Sequence, residues 1–236
     1  KALWSPTPEH QSLREMVRQF AEREVAPQAL EHDRTETFNI GLFRQLGDLG
    51  LLGITVDEKF GGSGMDATAA VIAHEELSAV DPGFCLAYLA HSMLFVNNLA
   101  QNGSEEQKQK YLPKMASGEM ITAIAMTEPG AGSDLQGVKT TAIRQGDHYI
   151  LNGSKTFITN GQLADLVIVV AKTDPKEGAK GTSLLLVETA WEGFEKGQNL
   201  NKVGMKAQDT SELFFQDVKV PADNLLGSME GQGFFQ

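Results

Sequence analysis

The chain changes its hydrophobic period once, near Gly118. Before that point, apolar residues recur at helical spacing. Leu13, Met16, Val17 and Phe20 fall at i, i+3, i+4 and i+7, the stripe of an amphipathic helix. Thr7 suits its N-cap, with Pro8 at the first helical position. Pro27 predicts its end or a kink. Ile40, Phe43 and Leu46 mark a second, shorter helix closed by Gly50. Asp66 caps a third, running toward Val80. Residues 82–101 form the longest apolar stretch. An unbroken helix there would be about 30 Å long, enough on length alone to cross a bilayer. His91, Ser92, Asn97, Asn98 and Gln101 punctuate it, which predicts a buried core helix instead. Tyr88, His91, Ser92 and Phe95 lie near one another on it, with core packing the default reading. Ser104 and Gln107 have capping-box spacing, opening a charged and solvated helix face.

After Gly118 the apolar positions alternate. Strands are expected at residues 121–126, 138–143, 148–151, 157–159, 166–171, 183–187 and 213–215. Turns are expected at Asn152-Gly153 and Asn160-Gly161. Residues 172–182, KTDPKEGAKGT, read as a long mobile hairpin loop. Pro221 stops the last strand. The expected fold is therefore α+β. Residues 1–119 form an all-α helical domain and 120–226 an antiparallel β-barrel or sandwich. Residues 227–236 lead toward a further helix.

Composition narrows the function. The 236 residues carry a formal net charge of −11, which disfavours non-specific binding to nucleic acid or anionic membrane. Cys85 is the single cysteine, so an intrachain disulfide and a cysteine-based zinc site are excluded. Its apolar flanks predict a buried, inert thiol. The five histidines, at 10, 32, 74, 91 and 148, show no metal-ligand spacing. Residues 1–7 show no charged start followed by an apolar core, the pattern of a secretory signal.

Chemistry concentrates in two stretches, AIAMTEPGAGSD (123–134) and YILNGSKTFITNG (149–161). Each delivers a threonine, Thr127 or Thr159, at the end of an apolar run. Gly130 and Gly132 lack Cβ, so backbone N–H groups can approach a ligand and positive φ is accessible. Consecutive N–H groups in such a turn bind anions. A ligand-free β-turn is the competing reading of this loop alone. GAGSDL begins as G-x-G but has Leu135 at the third glycine, and no G-K-S/T follows, so neither common phosphate fingerprint fits. EKFGGSG (58–64), taken alone, could be a nucleotide loop or a connector.

Together with KVGMKAQDTSELFFQDVKVPADNLLG (202–227), these motifs resemble the acyl-CoA dehydrogenases. The KAQDT core is most similar to the long-chain members. The resemblance implies FAD and the oxidation of a long-chain acyl-CoA thioester to the trans-2-enoyl-CoA, as in β-oxidation. Electrons would pass to electron-transfer flavoprotein, in a homotetramer or dimer. It implies that Ile124, Ala125, Met126, Thr127, Gly132 and Ser133 run along the cofactor. Phe157, Ile158 and Thr159 would cover the other side of the ring. Ser133, Ala179 and Lys180 would lie near CoA. Many relatives have Trp where this chain has Phe157, which keeps an aromatic face but no indole N–H. Lys206 stands where many have Arg. The resemblance implies a catalytic glutamate on a C-terminal four-helix bundle beyond Gln236. Glu128 and Asp134 read as structural parts of the loop, and these residues alone are expected to have no useful turnover. An acyl-CoA oxidase or flavin monooxygenase on the same scaffold is an alternative, as is a non-catalytic acyl-CoA-binding protein. A bacterial cytoplasm or a mitochondrial matrix is the expected location.

Overall fold

The computed structural model describes residues 6–236. Residues 1–5, where most of the opening stretch read for a signal falls, lie outside that description. Helix α1 (Pro8–Phe20) begins as expected, with the Thr7 side chain accepting the His10 N–H. It then passes through a π-turn, Ala21–Val25, directly into α2 (Ala26–Thr35). Pro27 sits in the first turn of α2. The proline has no N–H to donate back, and the widened turn before it absorbs the mismatch. The helix ends only at Glu36, in the left-handed region.

Helix α3 (Ile40–Asp48) is capped by Asn39, and α4 (Ala67–Ser78) by Asp66. Helix α5 (Pro82–Leu89), a second π-turn (Ala90–Val96) and α6 (Asn97–Asn102) make one continuous rod. Its length and apolarity would allow a membrane crossing, yet most of it is buried inside the protein. Tyr88, His91, Ser92 and Phe95 are all buried. His91 joins this rod to the β domain: one ring nitrogen meets the Met115 carbonyl oxygen, the other the Thr122 N–H and hydroxyl. Burial pushes its pKa down to about 4, partly opposed by the Met115 bond. Cys85 is buried too, and desolvation pushes its thiol up to about 12. Helix α7 (Glu105–Ala116) opens with the expected capping box between Ser104 and Gln107. The Gln107 amide also donates to the carbonyls of Asp223 and Leu225, tying this helix to the far end of the β domain.

Seven strands follow: β1 (Thr122–Ala125), β2 (Thr141–Gln145), β3 (His148–Thr159), β4 (Leu166–Lys172), β5 (Thr182–Glu188), β6 (Phe194–Asn199) and β7 (Thr210–Pro221). They form one sheet in the order β1-β4-β2-β3-β7-β6, with β5 on β4. The helical-then-β architecture is as expected, but the sheet is mixed, because β1 and β2 both run parallel to β4. The expected turn at Asn152-Gly153 does not exist. Residues 148–159 are one strand with a bulge there, since Gly153 at φ +149° lies against Thr140 with no room for a Cβ. The turn at Asn160 does exist, with Asn160 at φ +63°. Strand β6 was not expected; apart from the buried Phe194 its residues FEKGQN offer no apolar side chain, and it lies at the sheet edge. Leu99, Leu112, Ile168 and Leu186 share one apolar cluster, so helices and sheet are packed together through a common core. Residues 227–236 turn back onto β5, where the Gly233 N–H meets the Thr182 carbonyl.

Candidate functional site

The two threonine-bearing stretches meet. The chain beyond β1 runs beside the end of β3, and the Thr156 N–H donates to the Thr127 carbonyl at 2.9 Å. Beneath this contact lies a buried ion pair. Lys155 Nζ is 2.8 Å from Glu128 Oε1 and 3.0 Å from the Met126 carbonyl oxygen. The Glu128 carboxylate also accepts the Lys139 N–H at 2.7 Å and the Thr140 N–H at 3.0 Å. Burial pushes Glu128 up, but the bonds from Lys155, Thr140 and Lys139 outweigh it and hold its pKa below the usual value. Burial pushes Lys155 down, opposed by Glu128. Opposite charges in contact, each with further polar partners, are what keep two charges tolerable in a dry interior.

Above the ion pair the surface opens. The turn at Pro129-Gly130 is clamped by reciprocal backbone bonds between Glu128 and Ala131. A Cβ placed on Gly130 or Gly132 would meet nothing within 4 Å. Neither glycine has positive φ, so backbone strain does not require them. Among the described residues, the N–H groups of Gly130, Gly132 and Ser133 find no acceptor in the chain, and the Thr127 and Thr159 hydroxyls find no partner. Phe157 lies at the β3 bulge with φ +59° and is 66% exposed. A bulky residue in the left-handed region is strained, and here the strain turns an aromatic ring outward. Free hydroxyls, free N–H groups, an open glycine face and an outward ring fit a flat, polar ligand with an anionic tail.

The other expected residues fall into three groups. Ile124 and Met126 are half-buried and line a 130 Å³ cavity with Asn98, Leu135, Leu184 and Phe234. Ala125 and Ile158 point into the β core, which leaves only their backbone for a ligand. Ala179 and Lys180 sit on the β4–β5 loop. That loop, expected to be mobile, is bonded at its base: the N–H groups of Thr173 and Asp174 both reach the Gly181 carbonyl. Tyr88, His91, Ser92 and Phe95 face the core, as the default reading had it; Asn98 of the same rod reaches the cavity. The KAQDT block is elsewhere. The Lys206 N–H donates to Asp33 Oδ1 and its ammonium pairs with Glu36, which fastens the β domain to α2. Asp134 is exposed and caps a short turn through the Gln136 N–H. Lys155 was not anticipated. The available signal was a lysine in an inward phase of β3, two residues after the bulge glycine Gly153.

The chain matches the acyl-CoA dehydrogenase N-terminal domain over residues 7–119 and the acyl-CoA dehydrogenase middle domain over residues 123–218. The protein belongs to the acyl-CoA dehydrogenase family. It is 49% identical over 232 residues to the mitochondrial long-chain specific acyl-CoA dehydrogenase of Mus musculus, covering 96% of this chain and 53% of that protein. It is 44% identical over 228 residues to the short-chain specific acyl-CoA dehydrogenase of Clostridium acetobutylicum, covering 97% of this chain and 60% of that protein. The crystal structure of an acyl-CoA dehydrogenase from Geobacillus kaustophilus superposes with a TM-score of 0.92 at 48% identity, over 97% of this chain and 60% of that one. The chain thus spans between half and two thirds of the length of these relatives.

Proposed function

We propose that this chain is the helical and flavin-holding part of an FAD-dependent acyl-CoA dehydrogenase. The observation that carries the reading is the meeting of the two stretches, where the Thr156 N–H donates to the Thr127 carbonyl, with Phe157 exposed next to it and an open glycine face on the loop after Thr127. Bound FAD would supply the hydride acceptor for the β-hydrogen of an acyl-CoA thioester. This chain's own part is to bind and orient. Thr127 and Thr159 offer hydroxyls to the ring edge. The N–H groups of Gly132 and Ser133 suit the diphosphate. Phe157 presents an aromatic face. Ser133, Ala179 and Lys180 are assigned to the CoA arm, with Lys180 as a point charge for a phosphate.

The α-proton must go to a base elsewhere. Glu128 is committed to Lys155 and two backbone N–H groups, and Asp134 is spent on a cap. A glutamate on a C-terminal helical bundle is the proposed base. Long-chain preference is supported by the KAQDT block and by the mouse relative. That block is not among the residues that line the cavity with Ile124 and Met126. Electron-transfer flavoprotein as acceptor, a homotetrameric or dimeric assembly and a soluble matrix or cytoplasmic location complete the proposal.

The test is anaerobic titration of the full-length protein, followed at the flavin band, with acyl-CoAs from four to eighteen or so carbons. Bleaching that is fastest with long chains supports the whole reading. Bleaching only with short or branched chains overturns the long-chain assignment. A flavin band that no acyl-CoA bleaches overturns the substrate class.

A further inference from the structure

Four observations converge on the ion pair under the site. Lys155 links β3 to the Met126 carbonyl, one residue before Thr127. Glu128 gathers the start of β2 through the Lys139 and Thr140 N–H groups. Its backbone closes the Pro129-Gly130 turn. The β3 register shift lies between Lys155 and Ile158, so the lysine anchors the bulge that turns Phe157 outward. The Lys155 side chain is 0% exposed and that of Glu128 7%. Neither is part of the open face.

An apolar pair could fill this volume at no cost in stability, and in other proteins such replacements are often neutral. What it could not do is fix three backbone segments at set distances from one point. We infer that Lys155 and Glu128 are positioning residues, a buried pair that sets the spacing between the Thr127 edge and the Phe157 edge of the flavin site without touching the cofactor. This rests on the FAD reading above. The pair is retained for the geometry of the site, and its charges hold only while both are present.

The experiment uses the full-length protein with Lys155→Met and with the double change Lys155→Met/Glu128→Gln. The double variant leaves no lone buried charge and keeps an amide oxygen for one of the two backbone N–H groups. FAD affinity is read by flavin fluorescence quenching, ring environment by the visible absorption bands, and folding by thermal melting without FAD. Groups that orient a bound ion's direct partners typically cost roughly 10–100-fold in affinity when lost, and a weakening of that order is expected in both variants, with shifted flavin bands. The double variant regains much of the melting temperature lost by the single one but not the affinity. If affinity and band positions return with melting temperature, or never change, the pair is only structural and the inference fails. If wild type binds no FAD, the proposed function falls first.

Discussion

Two glycine-rich loops of equal length behave in opposite ways. In residues 58–64, a Cβ on Gly62 would lie 2.1 Å from the Val56 carbonyl oxygen, and Gly61 and Gly64 have φ of +83° and +60°. The chain itself needs those glycines, to pack the loop on its own backbone. In residues 128–134, Gly130 and Gly132 are unstrained and meet nothing. Nothing inside the described chain needs them, so the missing Cβ leaves space for something from outside. Both loops look alike as composition. They differ in what the missing Cβ would have touched, and that separates a loop packed on its own backbone from one whose glycine face is open.

The contrast can be broken from several sides. The largest effect is expected beneath the open loop: Lys155→Met strands the Glu128 carboxylate in a buried site and should cost about 3–5 kcal/mol of stability. Denaturant unfolding of the full-length protein measures it, and a loss under 1 or so would show the pair to be relaxed or hydrated. Next comes the seam between the domains. His91 is buried neutral, its pKa lowered from 6.5 to about 4, so protons favour the unfolded chain. Its contribution is fully present above pH 6.5 and lost as pH falls toward 4, a swing of about 3 kcal/mol. Stability measured against pH should lose that part of its slope in His91→Gln. In the closed loop, Gly62→Ala should destabilise by about 1–3 kcal/mol through overpacking against Val56, visible as a lower melting temperature. In the open loop, Gly132→Ala should change stability by less than about 0.5 kcal/mol. Equal thermal costs for the two glycine substitutions would erase the distinction between the loops.

Much of this was legible in the chain itself. Helix starts were readable because Thr7, Asp66 and Ser104 act locally, through side-chain bonds to N–H groups three residues on. The turn at Asn160 was readable because an Asn-Gly pair follows the apolar run that ends at Thr159. The continuous strand through Asn152-Gly153 was not. That dipeptide makes a hairpin when its flanks pair with each other, but here both flanks pair with β7, and Asn152 is bonded to Asp217 across the bulge. Strand β6 was hidden because Phe194 is its one apolar side chain, which leaves no alternation to read. The Lys155–Glu128 pair joins residues 27 positions apart, and only the fold shows that a lysine and a loop glutamate share one dry site.

In the proposed function the open face of residues 128–134 holds a bound flavin. The most direct measurement is FAD affinity of the full-length protein carrying Gly132→Leu, with melting of the FAD-free protein as control. Strongly weakened binding and unchanged melting are expected, because the new side chain enters space the chain does not use. Wild-type affinity in that variant would contradict it, and the glycine face would then serve something other than FAD.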